Sequence, residues 1–324
     1  MTTKNTAKKT SADEWWKPPV QRTRSRAEMA ARANEDSRAF IKVNAKALGL
    51  DKKKSGQMSA TITDAILGQA IGDALGVPYE FRRRGTFHAT TMTGHGTHGQ
   101  PAGTWSDDTS MALAICDSIR RNKGRIDPDD IRRRFDDWYQ YGEYTIDGLF
   151  DIGNTTVKAL RAGHGMTGEY DNGNGSLMRT IPLAFTRATE AQVEQVSAIT
   201  HANPTSTRAC ARLVNYARQL AAGRTPLDAI GEAGYETALA DEPEGMIRSG
   251  GYVLDTLKAA VWCLVTTDDY AGCALKAVNL GDDTDTTAAV AGGLAGIVYG
   301  IDSIPAEWLA KLRGKDVIDA CLFA

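Results

Sequence analysis

The spacing of apolar residues predicts an all-α protein, and three observations carry that expectation. From position 58 onward hydrophobic residues recur mostly at helical steps, with many alanines and few alternating β-branched runs. Gly68, Gly72 and Gly76 repeat every four residues in one apolar segment. Residues 285–299 place Ala288, Ala289, Ala291, Gly292, Gly293, Ala295 and Gly296 in another segment with little side-chain bulk.

In chain order, residues 1–12 are rich in Thr and Lys and read as disordered. Trp15-Trp16-Lys17-Pro18-Pro19 sets two large aromatics before a rigid extended pair, a segment suited to binding. Ser25 and Glu28 then fit a capping box, and Met29, Ala33, Phe40, Val43 and Ala47 follow on one helical face, with Gly49 as a stop. Residues 51–56 read as a linker, so the expected division is a basic, partly disordered extension with a helical segment at 1–57 and a single main domain at 58–324. In that domain the glycine stripe at 68, 72 and 76 costs about 1 kcal/mol per helical Gly relative to Ala, which close approach of another backbone offsets. Plain tight packing accounts for such a stripe without any function. The Ala/Gly-rich run at 285–299 is expected to be a central, buried helix.

The chain has 324 residues, 42% of them hydrophobic, enough for one large domain or two ordinary ones. A formal net charge of −2 argues against a chain-wide nucleic-acid footprint, and no apolar run approaches the roughly 20 residues that cross a bilayer. A soluble globular protein is expected, with neither membrane nor nucleic acid as partner. The charge is unevenly spread. Residues 1–57 hold 14 Lys and Arg against 6 Asp and Glu, leaving 24 against 34 for the rest, so the arm is +8 and the body −10. The arm lacks the apolar core of a secretory signal and carries Asp13, Glu14, Glu28, Glu35 and Asp36, unlike an acid-poor transit peptide. Cys116, Cys210, Cys263, Cys273 and Cys321 are odd in number, scattered and without a CxxC, which points to core thiols in a reducing, cytoplasmic setting.

Two acidic clusters stand where helices should begin: Ser106-Asp107-Asp108-Thr109 and Asp282-Asp283-Thr284-Asp285-Thr286. The ordinary role of either is to cap free backbone amides. Two clusters of one composition suggest more, because crowded carboxylates repel and a hard divalent cation relieves them. With no His or Cys in either cluster, Mg²⁺, Mn²⁺ or Ca²⁺ is favoured over Zn²⁺. A third constellation, Asn172-Gly173-Asn174-Gly175-Ser176-Leu177-Met178-Arg179, reads as a Gly/Asn turn running into an apolar helix, with free amides that suit a phosphate and Arg179 to pair with it or brace the loop. His201 and the helix start at Gly153-Asn154-Thr155-Thr156 are further candidates whose ordinary readings are structural.

The order of these motifs resembles the ADP-ribosylglycohydrolases, through residues 68–80, Gly103-Thr104-Trp105-Ser106-Asp107-Asp108-Thr109, residues 172–179, Thr200-His201 and residues 281–288. The resemblance spans about residues 59–300. It implies an all-α fold with two Mg²⁺ ions, Mn²⁺ being the alternative, held by Ser106, Asp107, Asp108, Asp283, Asp285 and Thr286. It implies Glu80, Asp108 and Asp285 as the catalytic residues, Glu80 lying near the scissile bond. Gly153, Thr156, Asn174, Gly175, Ser176 and His201 are implied to line the ADP-ribose groove. Ser106 departs from the commoner Thr but keeps the hydroxyl, and the arm at 1–57 is an addition to the family domain. The implied reaction is hydrolysis of ADP-ribose from a modified protein side chain, arginine preferred, through an oxocarbenium-like transition state. Some proteins resembling this family serve as immunity proteins against ADP-ribosylating toxins, which makes a cognate ADP-ribosyltransferase a candidate partner for the arm.

Two rival readings remain. The protein could act chiefly by binding and blocking a partner through its arm. Asp283-Thr284-Asp285-Thr286-Thr287 also spells the DxDxT signature of aspartyl-phosphate phosphatases, which requires a hydrophobic strand just before it.

Overall fold

The computed structural model describes residues 60–324, which form eleven α-helices joined by loops and 3₁₀ turns. The expectations placed on residues 1–57, including Trp15, Trp16 and the helix at 25–48, lie outside the described residues. Among the described residues extended pairing is limited to isolated bridges, His95 with Gln100, Met166 with His201 and Gly173 with Tyr252. The all-α expectation holds. No described helix is long and apolar enough to cross a membrane.

Two helices make the centre. Helix α1 (Ile62–Gly76) starts at a reciprocal cap in which Asp64 N–H donates to Thr61 Oγ1 and Thr61 N–H donates to Asp64 Oδ2. It is buried over almost its whole length and crosses the buried α9 (Thr284–Tyr299) with the two backbones nearly touching. A Cβ built at Gly68 would stand 2.4 Å from Gly292 O, and one at Gly292 would stand 2.5 Å from Gly68 O. Only glycine permits that crossing at either position, so both small-residue stripes have a packing reason. Tyr270 OH also donates to Gly68 O at 2.6 Å, closing the layer from a third side.

The other helices wrap this pair. Helices α7 (Val253–Val265) and α8 (Tyr270–Asn279) pack on α9. Helix α2 (Asp107–Arg121) contacts α1 and is backed by α3 (Pro128–Tyr141), whose Arg132 Nη2 donates at 3.1 Å to Ala159 O of α4 (Asn154–Ala162). Helices α5 (Glu190–Ala198) and α6 (Pro204–Ala221) pair with each other. The short α10 (Ala306–Lys311) and α11 (Lys315–Cys321) end the chain, with α11 against α2. All five cysteines are free and buried, as expected of core thiols.

Two local expectations are resolved by this frame. Residues 172–185 do not run into an α-helix; they form the 3₁₀ helices Asn174–Arg179 and Ile181–Phe185. Pro182 has no N–H to give the carbonyl four residues back, and that carbonyl, Met178 O, accepts instead from Gln69 Nε2 of α1 at 3.1 Å. Upstream of Asp283, where an aspartyl-phosphate phosphatase needs a strand, the chain is helix α8.

Candidate active site

The starts of α2 and α9 meet beside the end of α1. Asp73 of α1 organises the first of them. Its Oδ1 accepts from Ser106 N at 2.9 Å, and its Oδ2 accepts from Thr109 N at 3.0 Å and Thr109 Oγ1 at 2.6 Å. Asp73 thus shares with Ser106 the free amides at the α2 start, work that the sequence pattern assigns to the 106–109 cluster alone. The α9 start is tied to the end of α1 by Thr284 Oγ1, which donates to Gly76 O at 2.8 Å. Across the junction Thr286 Oγ1 reaches Asp108 Oδ2 at 3.4 Å, and single carboxylate oxygens of Asp73, Asp108 and Asp285 lie within 4.8 Å of one another.

The cap reading covers Ser106, whose Oγ accepts from Asp108 N at 3.4 Å and donates to Asp108 Oδ2 at 2.8 Å. It does not account for the carboxylates. Asp283 stands at the N-cap of α9 without making a side-chain cap bond, and Asp108 Oδ1, Asp283 Oδ1 and Asp285 Oδ2 are buried with no hydrogen-bond partner. Burial, reinforced by neighbouring carboxylates, pushes Asp107, Asp108 and Asp285 well above the usual carboxylate range, and burial also raises Asp283. Asp107 lines a small hollow with Phe150 and Asp151.

Glu80 follows the 3₁₀ turn Val77–Tyr79 at the end of α1 and overlooks the junction. The next residue bonds directly to the second acidic cluster: Phe81 N donates to Asp282 O at 2.7 Å and Asp282 N donates to Arg82 O at 2.8 Å. Both Phe81 and Asp282 have positive φ, +63° and +59°, so the segment is bent out of ordinary backbone to place Glu80 here. Burial raises the Glu80 carboxyl to about 7, opposed by its hydrogen bond from His98 Nε2. One oxygen of Glu80 and one each from Asp151 and Asp285 lie with a His98 ring nitrogen within 4.8 Å of one another. Neither His98 nor Asp151 belongs to the two acidic clusters or the 172–179 turn. The sequence signals for them are the Gly/His-rich stretch 94–99 around His98 and the place of Asp151 two residues before the Gly153 helix start.

The residues expected to line the groove gather on the next flank. The exposed Gly153 caps α4 with no side-chain bond, leaving the first amides of that helix free, and the Oγ1 of Thr156 is buried without a partner. A Cβ at Gly175 would meet Thr156 Oγ1 at 3.2 Å and the His201 ring at 2.9 Å, so the turn must be glycine for these three to meet. Asn174 joins groove to acidic junction, its Nδ2 donating to Asp283 Oδ2 at 2.8 Å and Thr256 Oγ1 at 2.9 Å. Ser176 is turned inward: it is fully buried and its Oγ accepts from Ser197 Oγ at 2.9 Å, which leaves its backbone for any ligand. Arg179 is also fully buried and braces the loop rather than facing outward, with Nη1 donating to Gly175 O at 2.7 Å and Nη2 to Thr200 Oγ1 at 2.8 Å. Thr200 in turn lies 2.8 Å from His201 Nδ1. With the Thr200 hydroxyl donating to Nδ1, the ring proton resides on Nε2, beside Gly173 and Gly175. Burial, helped by the nearby Arg179 charge, pushes His201 down to about 3, so the ring is neutral at ordinary pH.

A helical frame that brings two acidic helix starts together beside a glycine turn matches one class of enzyme. The chain belongs to the ADP-ribosylglycohydrolase family, whose model matches residues 56–323, and is a hydrolase of that kind. It is 37% identical over 281 residues to the ADP-ribosylarginine hydrolase Tri1 of Serratia proteamaculans, covering 78% of this chain and 75% of that protein. It is 35% identical over 272 residues to the ADP-ribosyl-[dinitrogen reductase] glycohydrolase of Rhodospirillum rubrum, covering 78% and 90%. A solved structure titled ADP-ribosylglycohydrolase-related protein complex superposes with a TM-score of 0.68 at 29% identity, covering 80% of this chain and 94% of that one.

Proposed function

We propose that this enzyme is a metal-dependent hydrolase that frees ADP-ribose from modified arginine side chains of proteins. The observation that carries the metal requirement is the set of buried, unpartnered oxygens Asp108 Oδ1, Asp283 Oδ1 and Asp285 Oδ2, held together without any cationic side chain bonded to them. A buried carboxylate crowd without counter-charge is costly, and a hard cation with oxygen ligands fits it. Ser106, Asp107, Asp108, Asp283, Asp285 and Thr286 would hold two Mg²⁺, with Mn²⁺ the alternative. Bound there, the ions would supply Lewis acidity and fix the vicinal hydroxyls of the ribose.

The chain's own groups do the rest. The free amides at the α4 start and the 172–176 turn suit the diphosphate, while Thr156 Oγ1 and His201 Nε2–H are donors placed beside the same turn. Asn174 couples the ligand-binding turn to the α9 acidic start through Asp283. Glu80, raised to about 7, is suited to take a proton from the attacking water and return one to the departing guanidine nitrogen. As the water oxygen bonds to the anomeric carbon, the carbon–nitrogen bond breaks, one water proton ends on the nitrogen and ADP-ribose leaves. The arginine assignment is supported by the names of the Serratia and Rhodospirillum relatives only as far as the first specifies arginine. Incubating the purified protein with ADP-ribosyl-arginine and ADP-ribosyl-serine substrates, with and without Mg²⁺, tests it. Release of ADP-ribose from the arginine adduct in Mg²⁺ alone is expected, and equal release in saturating chelator refutes the metal reading.

A second role, immunity against an ADP-ribosylating toxin in the cytoplasm, is supported by the +8 charge and tryptophan pair of residues 1–57. Such an arm is complementary to a cleft that binds an anionic dinucleotide. Deleting residues 1–57 should leave hydrolysis intact and weaken pull-down of a cognate ADP-ribosyltransferase; loss of turnover would instead make the arm part of the catalytic fold.

A further inference from the structure

The turn at 94–100 is clamped onto Glu80 by contacts that the hydrophobic core does not need. Most of the turn is exposed, yet Thr97 Oγ1 donates to Glu80 O at 2.7 Å, and Gly96 lies so near the preceding segment that a Cβ would stand 2.0 Å from Pro78 O. His95 N–H donates to Gln100 O, closing the turn on itself. From this base the His98 imidazole reaches back, its Nε2 donating to Glu80 Oε2. Two aromatic rings border it, Phe81 at 6.0 Å and Phe150 at 5.3 Å between centroids. One turn therefore holds both the main chain and one carboxylate oxygen of Glu80.

The geometry points to His98 as the positioning residue for Glu80: by taking Oε2 it leaves Oε1 for water or substrate and keeps the carboxylate aimed at the meeting of α2 and α9. The inference rests on reading Glu80 as the acid–base group. The physical need is plain from the neighbours. Asp151 and Asp285 face the same few ångströms and repel a Glu80 carboxylate, and the His98 ring holds its Oε2 against them.

The experiment uses the full chain with Mg²⁺ and an ADP-ribosyl-arginine substrate, comparing His98→Ala, His98→Gln and Glu80→Ala by kcat, KM, ADP-ribose affinity in a calorimeter and thermal melting. A partner that orients an active-site group is worth roughly 10- to 100-fold. His98→Ala should lose kcat by that factor with KM and ADP-ribose affinity held within about threefold. His98→Gln, whose amide can donate to the same oxygen, should recover most of the loss. If Glu80→Ala loses turnover and His98→Ala does not, the positioning role is refuted and the Glu80 reading stands. If Glu80→Ala keeps full turnover, the Glu80 reading falls and the positioning role with it. A matching loss of ADP-ribose or Mg²⁺ affinity in His98→Ala would overturn the proposal in favour of a ligand contact. Should His98→Ala melt early, His98→Gln decides: near-normal kcat supports positioning, and a loss as deep as that of Glu80→Ala in a folded protein overturns it.

Discussion

Gly76→Ala should disable the enzyme from a position that carries no chemistry. Gly76 ends α1, and a Cβ there would stand 2.3 Å from Asp285 Cα, 2.4 Å from Asp285 N and 2.5 Å from Thr284 O. Ordinary contact for a Cβ begins near 3.4 Å, so the end of α1 and the start of α9 must part by roughly 1 Å in an interior with no slack. Alanine returns at most about 1 kcal/mol in helix propensity, against about 1–3 kcal/mol for overpacking between backbones. The net loss is at most about 2 kcal/mol, or no more than roughly 8 °C in melting temperature for a domain of this size. The functional loss should be larger, because what moves is Asp285 itself, and a misplacement of roughly 1 Å at a reacting centre costs on the order of 100-fold in rate. Melting followed by circular dichroism, Mg²⁺ titration and a turnover assay read the three effects separately. Gly231→Ala is the control, since nothing lies within 4 Å of a Cβ there. A Gly76→Ala protein that melts and turns over like the native one would show that the α1–α9 crossing has room and that Asp285 is not positioned by it.

Three further outcomes are expected. Asp108→Asn and Asp285→Asn should each abolish turnover yet raise the melting temperature of the metal-free protein. Each removes a buried charge that neighbouring carboxylates repel, and each should erase the stabilisation of about 2.7 kcal/mol that Mg²⁺ at a hundred times its Kd gives the native protein. The pH dependence of the metal-free protein carries a definite sign. Asp107, Asp108 and Asp285 are raised in the folded state, so their stability is fully present below about 3.8 and is lost as pH rises through the raised values. Neutral His201, lowered to about 3 from 6.5, acts oppositely, its contribution being lost as pH falls below 6.5; urea melts across pH, with Mg²⁺ flattening the upper limb and His201→Gln the lower, check both. Arg179→Met should cost about 2–4 kcal/mol, because Gly175 O and Thr200 Oγ1 lose their buried donor, and should weaken ADP-ribose binding in calorimetry because the 174–179 turn loses its brace.

Much of this protein is written in short-range pattern. Helical spacing, the stripe at Gly68, Gly72 and Gly76, the small-residue run of α9 and the acidic clusters before α2 and α9 are local properties, because propensity and capping depend on residues within a few positions of each other. The pattern also marks which small residues are available for close packing. What it could not decide is where those local pieces meet. That α2 and α9 begin within reach of each other follows from Gly68 against Gly292 and Gly76 against Asp285, a crossing between segments more than 200 residues apart. The same crossing made Asp73 a partner of the α2 amides and left Asp108 Oδ1 and Asp285 Oδ2 buried without a hydrogen-bond partner. His98 and Asp151 were invisible for the same reason, since their role comes from loops folded back onto Glu80 and from no motif of their own. Residues 172–179, expected to run into an α-helix, lead instead through two 3₁₀ turns, and Pro182 leaves Met178 O to accept from Gln69 of a distant helix. Arg179, open in the sequence between pairing with a phosphate and bracing its loop, was settled by burial, which left its guanidinium only protein partners. Composition and period decide which elements form; the depth of each glycine contact decides which side chains share a site.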